Sequence, residues 1–277
     1  MLSIPQGDRA QDHDGAPYVE FPDSPEDVAT FLSFMYQPFT NPLKDTDPDL
    51  AFKMFGVMKL ADKFMVDALK QMIVDRLRRD WPRSLKEWDE KQDVWEQNKS
   101  SVGAFAYPEP ASAIRLARAF DSDPPLLNPV MFYALSCRDP IVDYGEPQAQ
   151  GNVEMGARWV LVSHQDRNKI ERGRRAILRF IFVGLSQYKL QCGQKDQSAE
   201  CSEFFAESMD DIHQEFALKF DPLMLLRNYI GRTEVLNIEG GPVRACGREC
   251  IKGRDYVFRE LRTAIFSRLS QFFADMQ

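Results

Sequence analysis

Four of the five cysteines fall in the C-terminal third of a 277-residue chain. Cys192 and Cys201 are separated by eight residues, and Cys246 and Cys250 by three. A pair four apart puts both sulfurs on one face of a helix. Two further thiolates would then complete a tetrahedral zinc site. The eight-residue gap departs from zinc-finger pairs, which leave two to four residues between ligands. Thiols that bind nothing behave as small apolar side chains, so four ordinary cysteines are the competing account. Cys137 sits in an apolar stretch and is expected in the core.

The three histidines, His13, His164 and His213, are scattered. No zinc-protease histidine pair, no nucleophile-elbow serine and no glycine-rich phosphate loop occurs. Cys201 with His213 is the one thiol–imidazole pair that can be drawn, and it lacks a third orienting group. Asp210 and Asp211 read as helix surface. The expectation is a protein that is not an enzyme. Arg167, Lys169, Arg172, Arg174, Arg175 and Arg179 set six bases against Glu171. Such a run suits a DNA-linked regulator, and equally the solvated face of a long helix. It lacks the interleaved aromatics that stack on bases.

These residues need elements to hold them. The chain is 44% hydrophobic and 28% charged, which excludes wholesale disorder. Its net charge of −7 argues against a dedicated nucleic-acid binder. Residues 1–50 carry ten acids and two bases, a net of −8, and the other 227 residues are near neutral. No apolar run approaches the roughly 18 residues of a membrane span. The first residues carry no apolar signal core. The expected location is therefore cytoplasmic or nuclear, with reduced thiols.

Residues 5–17 read as an exposed loop and 18–21 as a short strand. Ser24-Pro25-Glu26-Asp27 opens a helix over about 25–37, since serine caps, proline fits the first position and acids suit the helix dipole. Val28, Phe31, Leu32 and Met35 form its expected buried stripe. Asp47-Pro48 opens a second helix over 48–63, with Leu50, Met54, Val57, Met58 and Ala61 inward. A third covers 66–80, with Val66, Leu69, Ile73 and Leu77 inward. Ser84-Leu-Lys-Glu87 is a capping box for a polar helix whose Trp88 and Trp95, seven apart, should lie across a neighbour. Further helices are expected over 111–120, 126–137, 163–185, 202–220 and 222–230, with loops at 139–155 and 231–242. A last helix over 251–274 aligns Phe258, Leu261, Ile265, Leu269 and Phe272 on one seam. The fold class is mainly α.

The run Val19-Glu-Phe-Pro-Asp-Ser-Pro-Glu-Asp27 with Phe31-Leu-Ser-Phe-Met-Tyr36 resembles the third strand and following helix of a BTB/POZ domain. Val57-Met-Lys-Leu-Ala-Asp-Lys-Phe-Met-Val66 is similar to that fold's next helix pair. Arg78-Arg-Asp-Trp-Pro82, Leu85-Lys-Glu-Trp88, Ala113-Ile-Arg-Leu-Ala-Arg-Ala-Phe-Asp121, Phe132-Tyr-Ala-Leu-Ser-Cys137 and the Cys246/Cys250 pair extend the likeness to fungal, mushroom-type BTB/POZ proteins. The resemblance implies that residues 1–80 are the C-terminal half of a BTB/POZ α/β fold, one strand plus helices, and 81–277 a helical extension. It also implies that the two strands and helix that open such a domain are lacking, which leaves strand 18–21 an unpaired edge. The function it implies is protein–protein interaction, by oligomerisation or as an adaptor for a cullin-based ubiquitin ligase. Phe31, Phe34, Met35, Tyr36, Phe39 and Phe52 would supply the partner contacts, with core packing the competing role for Phe31 and Met35. The alternatives are a structural-zinc helical protein using Cys192, Cys201, Cys246 and Cys250, and a DNA-linked regulator using the basic helix 167–179.

Overall fold

The computed structural model describes residues 12–13, 16–17, 22–36, 47–102, 108–120, 127–143, 156–186, 198–218, 220–236, 242–244 and 248–274. The chain is mainly helical, as its periodicity predicts. In order come β1 (Asp12–His13), β2 (Ala16–Pro17), α1 (Pro25–Tyr36), α2 (Leu50–Lys63), α3 (Asp67–Asp80), α4 (Leu85–Val102), α5 (Pro110–Ala119) and α6 (Pro129–Ser136). A 3-10 turn (Trp159–Leu161), α7 (His164–Ser186), α8 (Ser198–Leu218) and α9 (Pro222–Tyr229) follow. β3 (Glu234–Leu236), β4 (Pro242–Arg244), α10 (Arg248–Ser267) and α11 (Leu269–Phe272) complete it.

Two places read as loop contain short antiparallel pairs. β1 pairs with β2 through Asp12↔Pro17 and His13↔Ala16. β3 pairs with β4 in the register Glu234↔Arg244, Val235↔Val243, Leu236↔Pro242. The apolar β-branched residues of the second pair favour a strand, but three-residue strands are too short to show an alternation. The strand expected over 18–21 lies outside the described residues.

The residues form two units. One comprises 1–44 and 53–73, the other 45–52 and 74–277. α2 and α3 each begin in one unit and end in the other. In the first unit α1 does not bury the expected stripe. Phe31 and Phe34 are the buried pair, while Leu32 and Met35 are 42% and 49% exposed. Two overlapping helical registers compete here. The helix takes the one that sinks both phenyl rings, because each ring removes more apolar area from water than Leu32 or Met35 would. Phe31 packs on Phe64 with centroids 5.7 Å apart. α2 buries Leu50, Met54, Val57, Met58 and Ala61 as its spacing predicts.

The second unit is built around α6. All of Val130 to Ser136 is buried, the mark of a helix that is apolar on every side. α4 lays Trp88 and Trp95 inward, at 3% and 8% exposure. Their rings meet edge to face at 6.2 Å, and Trp88 meets Tyr133 of α6 at 5.3 Å. The α4 capping box forms with a variation: Ser84 Oγ accepts from Glu87 N, while the Glu87 carboxylate accepts from Arg83 N. α7 packs on α6 and buries Ile170, Gly173 and Ile177, and α10 buries Phe258, Leu261 and Ile265. The last helix is interrupted: Arg268 N bonds back to Ile265 O, a tightened turn, and α11 restarts at Leu269. Phe273 rather than Phe272 therefore reaches the core, at 3% exposure.

Candidate functional site

Proline recurs at helix starts behind a polar residue, and these caps build most of the interior polar chemistry. Asn128 Oδ1 accepts from Val130 N at the head of α6. Glu109 precedes Pro110 and is 1% exposed. Its carboxylate accepts from Ala111 N at 3.0 Å, Ser112 N at 2.8 Å and Arg158 N at 3.2 Å, and from the Ser112 hydroxyl. The Arg158 guanidinium reaches Asp49 at 2.8 Å and lies 4.3 Å over the Phe52 ring. A buried carboxylate is tolerable when this many donors satisfy it.

Asp221, ahead of Pro222, caps α9 by accepting from Met224 N at 3.2 Å. The same oxygen accepts the Tyr133 hydroxyl at 2.9 Å, and that hydroxyl accepts from Leu223 N at 3.0 Å. Beside this network a small indentation, with a cavity volume of only about 10 Å³, is lined by Trp81, Trp88, Trp95, Cys137, Arg138 and Asp221 among others. A thiol, a carboxylate and a guanidinium line it, and the carboxylate accepts the Tyr133 phenol.

Burial pushes the Tyr133 phenol well above its usual range, and the neighbouring Asp221 charge adds to the shift. Burial, then Asp221, does the same to the Cys137 thiol, which also hydrogen-bonds Tyr133. Neither group loses its proton readily, and no imidazole lines the indentation to take one. The arrangement clamps α6 to α9 by hydrogen bonds instead of preparing a nucleophile.

Both groups are neutral when protonated and have raised pKa values in the fold. Their stabilisation is complete below the ordinary thiol and phenol ranges, near 8.5 and 10, begins to fall as pH enters them, and is lost as pH climbs through the higher values the two groups have in the fold. Tyr133→Phe is expected to cost about 1–3 kcal/mol at pH 7, because Leu223 N–H and Asp221 lose a buried partner. Its stability should then fall less steeply than wild type between pH 9 and 11. Equal slopes in urea unfolding at those pH values would remove Tyr133 from the alkaline transition.

The expected cysteine quartet is not assembled in view. Cys192 and Cys246 lie outside the described residues, as does the side chain of Cys201. Cys250 is buried in the first turn of α10. Among the described residues no three His, Cys, Asp or Glu side chains are grouped to hold a metal ion. The His213 ring lies tilted against that of Phe182, with centroids 4.6 Å apart.

The basic helix is α7, and its charges divide. Lys169 is buried 4.4 Å from the Phe132 ring, Arg174 lies 4.8 Å over Phe220, and Arg167 donates to Trp159 O. Arg167, Arg175 and Arg179 are exposed, and Arg175 pairs with Glu171 at 2.9 Å. Six bases in the sequence thus do not make one six-charge face.

The partner-contact candidates divide too. Phe31 is buried, in the core role weighed for it, and Phe34 is buried where a surface contact was expected, whereas Met35 is open, contrary to its competing core role. Tyr36 is 81% exposed and Phe52 46%. Phe39 lies outside the described residues. Phe64 and Met65, at 43% and 82%, join the exposed set without having been singled out. Their signal was two consecutive apolar residues at a helix end, where a glycine or polar residue usually stands.

No family model, no curated protein and no solved structure matches the chain. No helix among the described residues is long and apolar enough to cross a membrane.

Proposed function

We propose that this chain is a non-enzymatic protein-interaction module of the BTB/POZ type, its first unit supplying the contact surface and its helical extension the scaffold. One observation carries the reading. Of twelve large apolar residues exposed among the described residues, six lie in the first unit: Leu32, Met35, Tyr36, Phe64, Met65 and Met72. Concentration of apolar exposure in a quarter of the sequence is a signature of association, because scattered single residues are what a surface shows by default. The order of motifs from residue 19 to residue 88 supports the family. The role as adaptor for a cullin-based ubiquitin ligase belongs to the same proposal and rests on that resemblance alone.

The test uses the whole chain. Self-association is followed by sedimentation velocity, and capture of a cullin N-terminal domain by pull-down. The paired variant Met35→Glu with Tyr36→Glu changes exposed side chains, so its helical circular dichroism should be that of wild type. It is expected to weaken association at least tenfold. A wild-type chain that neither self-associates nor captures a partner, or a variant that does both as well as wild type, overturns the reading.

A further inference from the structure

Trp81 stands in the short turn between α3 and α4, with Asp80 closing the first helix and Pro82 leading toward the second. Its side chain is 3% exposed, and its indole Nε1 is buried with no acceptor among the described residues. An indole nitrogen only donates, so a buried N–H of this kind gives up its hydration and gains nothing in return. The chain treats Trp159 differently: the Nε1 of that residue donates to Asp139 O at 2.8 Å.

Trp81 is also a wall of the indentation beside Asp221. A cavity volume of about 10 Å³ is room for a single water molecule. The walls set what can occupy it. Besides the indole they carry the Asp221 carboxylate, which only accepts, the Arg138 guanidinium, which only donates, and the Gln92 amide, which does both. A halide ion suits the indole and the guanidinium but is repelled by the carboxylate. An ammonium ion suits the carboxylate, is repelled by the guanidinium and cannot accept from the indole. Water both accepts and donates, and a buried water is held by roughly two to four polar partners of this mixed kind.

We infer that the indentation is a site for one ordered water, which accepts from Trp81 Nε1 and donates to the Asp221 carboxylate. Asp221 already joins α6 to α9 through Tyr133 and Met224. The water extends that clamp to the α3–α4 turn, which Asn128 Nδ2 also holds by donating to Pro82 O at 3.3 Å. The site stands whether or not the chain is an interaction module.

Crystals of the full chain are grown with sodium chloride and, in parallel, with sodium bromide. The expected result is one density peak about 2.7–3.2 Å from both Trp81 Nε1 and an Asp221 oxygen, with no anomalous bromide signal. In solution, the Trp81 indole proton should show a nuclear Overhauser effect to water, of the sign that marks a bound molecule. That resonance is the one of four indole signals lost in Trp81→Phe; if the variant does not fold, the crystals decide alone. A featureless indentation, a bromide peak, or a peak bonded to Trp81 without Asp221 overturns the inference. So does an indole proton linked to water only by chemical exchange.

Discussion

Replacing Arg254 with methionine is expected to destabilise the second unit by about 3–5 kcal/mol, more than any other single change to its polar interior. Arg254 is fully buried. Its Nη2 serves Tyr229 O at 2.9 Å, Arg232 O at 2.6 Å and Asp255 Oδ1 at 3.1 Å. The guanidinium lies 5.0 Å from the Phe204 ring and 5.7 Å from that of Phe258. It thereby ties α8, α10 and the C-terminal end of α9, where cations are favoured. Asp255 completes the knot by accepting Gly231 N at 2.9 Å. Burial lowers the Arg254 pKa, against the upward pull of Asp255, but an arginine starts too high to become neutral. Methionine keeps much of the apolar stem and removes the charge, which strands the Asp255 carboxylate and two carbonyls. Denaturant unfolding measures the loss. A cost below about 1 kcal/mol would show that the knot adds nothing beyond the packing methionine preserves.

The second large effect has a sign that packing and propensity dispute. Gly173 lies inside α7, where alanine is ordinarily better by about 1 kcal/mol. A Cβ there would sit 2.1 Å from one atom of the Phe273 ring and 2.4 Å from the next. The ring cannot step aside cheaply, since it is buried and stacked on Phe132 at 6.1 Å. Packing should win. Gly173→Ala is expected to cost about 2–4 kcal/mol, close to what expelling a core phenylalanine costs, less the gain in propensity. Removing the ring reverses the sign: in a Phe273→Ala background the same alanine should stabilise by about 1 kcal/mol. A four-variant urea series reads both numbers, and additivity across it would refute the clash.

The helices were legible where local chemistry announces them. Pro25 and Pro222, each behind a side chain that caps, mark starts that agree with the structure within a residue, and the apolar spacing of α2 gives its buried face directly. Boundaries drifted where that signal is absent: α8 begins at Ser198, four residues before the serine that looks like its cap. What spacing left open was rotation and interruption. α1 had two registers of nearly equal hydrophobicity, and only the contact of Phe31 with Phe64, thirty-three residues away, selects one. The seam of the last helix slips from Phe272 to Phe273 because of a turn at Arg268 that leaves no mark in composition. Tyr133 lies within an apolar helix and Asp221 stands before a helix-opening proline. That they are one site depends on a bond between residues 88 apart.

Long separations of this kind also set a timetable. Arg262 of α10 donates to Asp89 of α4 across 173 residues, and to Leu223 O at 2.9 Å. On a ribosome adding about 5–20 residues a second, Asp89 and the tryptophan face of α4 wait roughly 10–35 s before that arginine has even been synthesised. The tie between α4 and α10 is therefore among the last to form in the second unit, after Tyr133 of α6 has already given Trp88 a partner.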